Sequence, residues 1–337
     1  MNCFASTYIS GFNKIVEKAI KELYADCKII NNFDGLIVYE TNKQLKDMPF
    51  VNNTYFVFDI KKCSGVNLNN DVKSLLSNKK YDFKKVVSFL RNKRTFKILA
   101  FDKNQPAQLN YSYVESIENS IKKDLSLKLG ERKHDLDFVI SRRSENYILF
   151  MLKITYNRLT EKDINKGTLK PELSYLMCKL ADIQENDICM DMFCGQGSIP
   201  KQIVKHFKYN MVFASDNNEE NILTLKKEFK NNNKKLYIKN RDALDLSYFD
   251  CDFIDKIITD PPWNIYNSNN ESFVDFYVHS LIEMNRILKM SGKAVVLMGN
   301  IDEFEKALNI VKAFKVLDLY HILVNGKKAN VYVLKKN

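Results

Sequence analysis

Paired cysteines and histidine clusters are missing from this 337-residue sequence. Its seven cysteines include no CxxC pair, and no histidine stands at zinc-finger spacing from them. This pattern argues against a disulfide framework and against a structural zinc site. The four histidines fit no catalytic arrangement, so we expect them at the surface or in packing. We therefore expect reduced thiols and no bound metal.

Long apolar runs are missing too. No stretch is long and apolar enough to cross a membrane, and the opening MNCFASTYIS has no basic region leading into an apolar one. We therefore expect a cytoplasmic protein with no membrane partner. With 45% hydrophobic and 28% charged residues, the composition is that of a folded chain. Its length predicts two or three domains.

Positive charge is concentrated in the first half of the chain. Residues 1–160 contain 27 Lys and Arg against 17 Asp and Glu, a net charge of +10, whereas residues 161–337 contain 25 against 24, a net charge of +1. A general preference for lysine would affect both halves alike. The asymmetry predicts an N-terminal region that binds a polyanion, with nucleic acid as the first candidate.

Beyond residue 171, apolar strands alternate with amphipathic helices, and several strands are followed by an acid. This alternation predicts a doubly wound parallel sheet that binds its ligand at the carboxyl ends of the strands. Gly195 and Gly197 form a tight turn after one strand, and Asp216 follows Gly197 by 19 residues. At that spacing a carboxylate can accept both hydroxyl groups of a ribose.

The same region differs from a dinucleotide-binding site. The third glycine of a GxGxxG loop is replaced by Pro200, so close packing of a pyrophosphate against the helix is not expected. Asp242 ends the following strand, where it can accept a hydrogen bond from the amino group of adenine. The pattern therefore favours a nucleoside cofactor without phosphate groups.

The segment ITDPPWNIY places Asp260, two prolines and the only tryptophan after an apolar strand. One interpretation is a turn that carries a core tryptophan. The other is catalytic, because exocyclic amines of nucleobases are weak nucleophiles whose N–H groups must be held in hydrogen bonds. Asp260 and the carbonyl groups of Pro261 and Pro262 would accept those bonds, and Trp263 would stack on an extruded base.

In this order and spacing, DMFCGQGSIP, ASDNN, NRDAL and TDPPWN resemble the motifs of class I S-adenosylmethionine-dependent methyltransferases that act on an exocyclic amino nitrogen. The resemblance covers about residues 165–337. It implies an α/β, Rossmann-like domain with a seven-stranded sheet that ends in an antiparallel hairpin turned at Asn325-Gly326. The implied cofactor is S-adenosyl-L-methionine.

The resemblance also implies roles for individual residues. The implied catalytic residues are Asp260, Pro261, Pro262 and Trp263. The implied cofactor contacts are Asp191, Gly195 and Gly197 at the methionine part, Asp216 at the ribose and Asp242 at the adenine, together with Phe193, Asn217, Ala243 and Asp260.

The first half of the chain carries a second resemblance. Residues 1–65 give an α+β unit of ferredoxin-like order, and residues 66–156 give two helices followed by strands, ending in the hairpin LDFVISRRSENYILFMLKI. This domain order resembles the ferredoxin-like and THUMP modules of tRNA and rRNA guanine-N2 methyltransferases. THUMP domains bind RNA, which implies RNA contacts from Lys93, Arg94, Arg142 and Arg143. The polar segment 157–167 is then a linker, and residues 168–337 form the methyltransferase domain.

These observations predict a monomer that methylates the N2 amine of a guanosine in tRNA. An rRNA guanine-N2 enzyme and an N6-adenine methyltransferase acting on RNA or DNA remain alternatives. Asn264 keeps adenine open, because guanine-N2 enzymes often have glycine after the aromatic residue. From another class, an RNA-binding protein that keeps the fold without activity would show a damaged motif, and none is visible. The sequence leaves open whether an activating subunit is needed.

Overall fold

The computed structural model describes residues 1–76, 80–130, 133–155, 168–229, 233–263 and 272–337. The chain forms two compact units. The first comprises Met1–Tyr8, Glu17–Asp47 and Val51–Arg158, and the second comprises Ile9–Val16, Met48–Phe50 and Leu159–Asn337. The predicted linker 157–167 and the segment 264–271 lie outside the described residues.

The first unit is built on one mixed sheet. The elements of this half of the chain are β1 (Asn2–Thr7), α1 (Asn13–Leu23), β2 (Lys28–Phe33), β3 (Leu36–Thr41), β4 (Asn53–Lys62), α2 (Leu68–Leu76), a 3₁₀ helix (Phe83–Phe89), β5 (Thr95–Asp102), β6 (Gln105–Pro106), α3 (Tyr111–Leu125), β7 (Lys128–Leu129), β8 (Leu136–Arg142) and β9 (Tyr147–Lys153). The strand order is β2-β3-β1-β4-β9-β8-β5-β6, with β7 beside β5.

The predicted boundary at residue 65 does not separate two sheets. β4 pairs antiparallel with β9, from Tyr55 opposite Lys153 to Lys62 opposite Tyr147, so both predicted modules contribute to one continuous sheet. An edge strand attracts another strand because its N–H and C=O groups are unpaired. Pairing between strands so distant in sequence leaves no local pattern, which is why the sequence did not reveal it.

The second unit contains a seven-stranded sheet. Its elements are α4 (Pro171–Ala181), β10 (Ile188–Asp191), α5 (Ser198–His206), β11 (Met211–Asp216), α6 (Glu219–Phe229), β12 (Leu236–Asn240), β13 (Ile254–Thr259), α7 (Phe273–Ile287), β14 (Leu288–Met298), α8 (Ile301–Val311), β15 (Phe314–Val324) and β16 (Lys327–Lys336). The order is β12-β11-β10-β13-β14-β16-β15. The first five strands run parallel, and β16 pairs antiparallel with β14 and β15.

The terminal hairpin confirms the predicted closure of this sheet. Val324 pairs with Lys327, and the two residues between them, Asn325 and Gly326, both have positive φ. Asparagine and glycine tolerate that conformation, and a two-residue turn of this kind matches the twist of paired strands.

The core of the second unit holds the carboxyl ends of its strands in place. Buried side chains from β10, β13, β14 and β16 pack with those of α7 and α8 in one apolar cluster. Near-continuous apolar strands are expected where helices cover a parallel sheet. The loops after β10, β11, β12 and β13 therefore project from the same edge. Among the described residues, no helix has the length and hydropathy needed to traverse a bilayer.

Candidate active site

The loop between β10 and α5 is shaped by two glycines in the left-handed region. Gly195 has a φ of +49° and Gly197 a φ of +82°, a conformation that disfavours residues with a Cβ atom. The main-chain N–H of Gly195 donates to Asp216 Oδ2 over 2.8 Å. A Cβ atom added at Gly195 would extend into open space. The loop thus leaves room for a ligand beside the Asp216 carboxyl group.

Asp191, the last residue of β10, lies in the interior with 1% of its surface exposed. The Thr259 hydroxyl donates to Asp191 Oδ1 over 2.7 Å, and the N–H of Phe193 donates to the same oxygen over 3.3 Å. Burial raises the pKa of Asp191 to about 8, although the Thr259 hydrogen bond opposes the shift. A cationic ligand nearby would favour the ionised form.

Asp216 and Asp242 follow the two outer parallel strands. Besides Gly195, Asp216 accepts hydrogen bonds from the main-chain N–H of Asn218 and from the Asn221 side chain. Asp242 lies two residues beyond β12, and its side chain accepts from the N–H of Leu244. Both carboxyl groups are thus oriented by local turns after their strands.

Asp260 directly follows β13, and Trp263 folds back onto it. The indole Nε1–H of Trp263 donates to Asp260 Oδ1 over 2.9 Å. Burial raises the pKa of Asp260 to about 7, against the lowering effect of that hydrogen bond. The backbone of Gly299 supports the indole from the other side, since a Cβ atom there would lie 2.2 Å from Trp263 Cε3.

A hydrogen bond from α7 reaches the second proline of the turn. The hydroxyl of Tyr277 donates to the Pro262 carbonyl oxygen over 2.9 Å, so this carbonyl already has a donor. Tyr277 belongs to α7, and no sequence pattern connects it with the two prolines. A carbonyl oxygen has two lone pairs, so Pro261 and Pro262 both stay predicted acceptors for a substrate amine.

These residues surround one cavity of about 820 Å³ in the second unit. Eleven of the predicted cofactor and catalytic residues line it: Asp191, Phe193, Gly195, Asp216, Asn217, Asp242, Ala243, Asp260, Pro261, Pro262 and Trp263. Gly197 lies at the start of α5 without lining the cavity.

The charge of the cavity limits what it can bind. Four carboxyl groups line it, and the described lining includes no lysine or arginine. Phosphate groups would be repelled, whereas a sulfonium cation joined to a ribose and an adenine would be attracted. The side chains present therefore fit S-adenosylmethionine better than a dinucleotide. Within the described part of the chain, no cluster of histidine, cysteine or acidic residues could hold a metal ion.

The structure contradicts the RNA contacts predicted for Arg142 and Arg143, which are only 5% and 8% exposed. Arg142 forms ion pairs with Asp71 at 3.1 Å and Asp102 at 2.7 Å. Arg143 pairs with Glu145 at 3.0 Å and donates to the Asp34 carbonyl oxygen. Consecutive arginines in a hairpin look exposed in sequence, because the carboxylates that neutralise Arg142 come from α2 and β5, and the Asp34 carbonyl beside Arg143 comes from the turn after β2.

The other two predicted RNA contacts lie at the start of β5. Arg94 is exposed and Lys93 partly exposed. The main-chain N–H of Lys128, whose side chain is also exposed, donates to the Arg94 carbonyl oxygen over 2.9 Å. Lys128 was absent from the sequence prediction, since only the pairing of β7 with β5 brings it beside Arg94.

Several other residues of the site were not predicted. Thr259, Tyr277 and Gly299 act on Asp191, Pro262 and Trp263, and Ser198, Val324 and Asn325 line the cavity. A glycine directly after an apolar strand was a usable signal for Gly299. The contacts of Thr259 and Tyr277 depend on tertiary packing and have no sequence signature.

The strand order, the acid-lined cavity and the Asp-Pro-Pro-Trp turn define a class I methyltransferase. The RMKL-like methyltransferase domain matches residues 158–327, about half of the chain, and this protein belongs to that family. The predicted fold class, methyltransferase activity and S-adenosylmethionine cofactor are confirmed at this level.

A curated relative carries a more specific name. The Mus musculus protein "tRNA (guanine(6)-N(2))-methyltransferase THUMP3" is 24% identical over 209 residues, which cover 57% of this chain and 41% of the relative. The chain thus spans about two fifths of the length of the curated relatives it matches.

Solved structures align with this chain over its full length. TrmN from Thermus thermophilus aligns with a TM-score of 0.79 and 15% identity, covering 100% of both chains. SMU.472, solved in complex with SAH, aligns with a TM-score of 0.68 and 12% identity, covering 100% of this chain and 98% of its own. At these identities the likeness is one of fold.

Proposed function

We propose that this protein transfers a methyl group from S-adenosylmethionine to the N2 amine of a guanosine in tRNA. The observation that carries the proposal is the Asp260 carboxyl group, which lines an acidic cavity and accepts a hydrogen bond from Trp263. The printed names of the curated relatives support guanosine and tRNA. We also propose a monomer that works in the cytoplasm.

The cofactor would lie across the carboxyl ends of β10, β11 and β12. Asp191 and Gly195 would border its methionine part, and Gly197 would shape the loop that carries Gly195. Asp216 would accept hydrogen bonds from its ribose hydroxyls, and Asp242 from its adenine. When bound, S-adenosylmethionine supplies an electrophilic methyl group on a sulfonium. The remaining predicted contacts, which complete the cavity wall, are Phe193, Asn217 and Ala243.

The chain's own residues would orient and deprotonate the amine. Asp260 Oδ2 and the Pro261 carbonyl oxygen would accept hydrogen bonds from the two N–H groups of the amine. These hydrogen bonds would turn the nitrogen lone pair out of conjugation with the base ring. The base would stack on the face of Trp263 opposite Gly299. Once the nitrogen has accepted the methyl group, its proton becomes acidic, and Asp260 is placed to take it.

The bound nucleotide is presented by RNA contacts elsewhere on the chain. We propose that the first unit, as a THUMP-type module, holds the RNA through Lys93 and Arg94, with Lys128 beside them. Exposed lysine and arginine side chains bind phosphates without reading sequence. The net charge of +10 over residues 1–160 supports this assignment.

An N6-adenine substrate is the second candidate, and the pKa of Asp260 is the observation that favours it. A carboxyl group with a pKa of about 7 is partly protonated at neutral pH, and its O–H could donate to adenine N1. Guanine instead presents two donors, N1–H and N2–H, and an ionised carboxylate can accept a hydrogen bond from each of them. Guanine N2 therefore requires the ionised form, and adenine tolerates the neutral one.

The test is methyl transfer in vitro. The purified chain is incubated with methyl-labelled S-adenosylmethionine and tRNA transcript, with rRNA transcript and DNA duplex in parallel, and the products are digested to nucleosides. We expect labelled N2-methylguanosine from tRNA alone, and none with Asp260→Ala. Labelled N6-methyladenosine would replace the proposal with the adenine alternative, and label in rRNA alone would change the substrate class.

A further inference from the structure

The Asp-Pro-Pro-Trp turn is held from beneath by a short chain of hydrogen bonds. Tyr277 in α7 is fully buried, and its hydroxyl donates to the Pro262 carbonyl oxygen over 2.9 Å. The same hydroxyl accepts a hydrogen bond from the side chain of Asn300, the residue that precedes α8. Three separate elements thus meet at the Pro262–Trp263 peptide bond.

Tyr277 does not line the cavity, and its hydrogen bond to the Pro262 carbonyl is a direct contact with the turn. A proline nitrogen has no hydrogen to donate, and two consecutive prolines deprive this turn of two anchoring N–H groups. The Tyr277 hydroxyl therefore provides an external hydrogen bond that the turn cannot provide for itself. Trp263 follows Pro262 directly, and its indole holds Asp260.

We infer that Tyr277 is a positioning residue, which sets the orientation of Trp263 and Asp260 by fixing the Pro262 carbonyl. The inference rests on the proposed methyl transfer at this turn. Loss of the hydroxyl would leave a carbonyl without its donor and let the turn rotate. The reacting groups would then spend less time in alignment, which lowers kcat while substrate contacts elsewhere stay intact.

The decisive experiment compares Tyr277→Phe with Tyr332→Phe. Tyr332 is a matched control, because it is 2% exposed, lies in the same apolar cluster, and donates its hydroxyl to Glu305 over 2.9 Å. Each variant loses one buried hydrogen-bonded hydroxyl, but only Tyr277→Phe loses it at the turn. Trp263 is the only tryptophan in the chain, so its fluorescence reports on the turn alone.

We expect Tyr277→Phe to lower kcat about tenfold, the effect of about 1.4 kcal/mol, with KM for tRNA within about twofold of wild type. We also expect acrylamide to quench Trp263 more strongly in this variant. Tyr332→Phe should match wild type in both measurements. The inference is overturned if the two variants behave alike, or if Tyr277→Phe raises KM and leaves kcat unchanged.

Two further features keep the result interpretable. Fluorescence quenching needs no substrate, so it still tests the turn if wild type proves inactive on tRNA and the proposed function fails. If Tyr277→Phe does not fold, Asn300→Ala removes the donor to the Tyr277 hydroxyl. We then expect Asn300→Ala to increase the quenching of Trp263 and to lower kcat, as expected for Tyr277→Phe. Wild-type values of both quenching and kcat would overturn the inference.

Discussion

Asp191 is a buried and Asp260 a half-buried carboxyl group in a cavity that lacks a basic residue among its described lining. Burial raises the pKa of Asp191 to about 8 and that of Asp260 to about 7. A positive charge bound nearby would stabilise the ionised form of both carboxyl groups, and a sulfonium carries such a charge. The chemistry and the stability of the protein are therefore both tied to pH.

The first prediction concerns the rate. In the proposed reaction, only the ionised form of Asp260 accepts hydrogen bonds from the guanine edge and takes up the proton, so kcat/KM for the cofactor should rise between pH 6 and 8. Below the pKa the rise should be about tenfold per pH unit. A pH series on wild type and Asp260→Asn checks this. The variant should be at least 100-fold slower, roughly the effect of losing one key catalytic group, and lack the ionisation near pH 7.

An unchanged ionisation near pH 7 in Asp260→Asn would contradict that assignment, because the profile would then belong to another group. Affinity for S-adenosylhomocysteine, measured on both proteins at the same pH, serves as the control. It should change far less than the rate.

The second prediction concerns stability. The folded-state pKa of Asp191 lies above its unfolded value, so the folded state binds the proton more tightly and wild type loses stability as pH rises from about 4 to about 8. Asp191→Asn keeps the oxygen that accepts from Thr259 and carries no charge. Its Tm relative to wild type should therefore increase between pH 5 and pH 8, by about 2 to 4 °C for each kcal/mol relieved.

Melting curves of both proteins at the two pH values check this expectation. An equal Tm difference at pH 5 and pH 8 would show that ionisation of Asp191 does not destabilise the folded protein. The stabilised variant should bind S-adenosylhomocysteine more weakly. That result would show that Asp191 contributes to ligand binding while it lowers the stability of the folded protein.

The third prediction follows from the buried ion pairs of Arg142. Arg142→Ala leaves the buried carboxyl group of Asp71 without its ion-pair partner, which should lower the free energy of unfolding by about 3 to 5 kcal/mol. Arg94→Ala removes an exposed side chain and is the matched control. Its unfolding should stay within about 0.5 kcal/mol of wild type. Equal stabilities in denaturant would contradict the structural role of Arg142.

At the scale of elements, Gly299 directly follows β14 and packs against the Trp263 indole. A Cβ atom at this position would collide with Trp263 Cε3, and both the ring and the backbone would have to shift. We expect Gly299→Ala to displace the indole from Asp260, to change the Trp263 emission, and to reduce methyl transfer more than tenfold, the loss of about 1.4 kcal/mol of alignment. Cofactor affinity should stay near wild type, since Gly299 does not line the cavity.

The elements of the second unit could be predicted because each carries its own local signal. Asn325-Gly326 specifies the hairpin, Pro171 begins α4, and acids mark the ends of β11 and β13. The first unit could be predicted only in part. Its strands alternate visibly, yet the β4–β9 pairing and the ion pairs of Arg142 depend on contacts across the sheet.

At the scale of the whole molecule, charge separates two tasks. The first half holds nearly all the excess positive charge, and the second holds an acidic cavity. We expect Arg94→Glu with Lys128→Glu to weaken tRNA binding at least tenfold. The salt dependence of the tRNA affinity should fall by the amount that about two lost phosphate contacts would cause. The control is Lys226→Glu with Lys227→Glu, an equal charge change on α6. Equal losses in both would show that net charge, rather than a surface, binds the RNA.

The most direct test of the central claim is nucleoside mass spectrometry of total tRNA and rRNA from cells with and without this gene, with rescue by wild type or by Asp260→Ala. We predict that N2-methylguanosine falls in tRNA when the gene is lost and returns with wild type only. Unchanged N2-methylguanosine, or a loss that Asp260→Ala also restores, would contradict the proposed reaction.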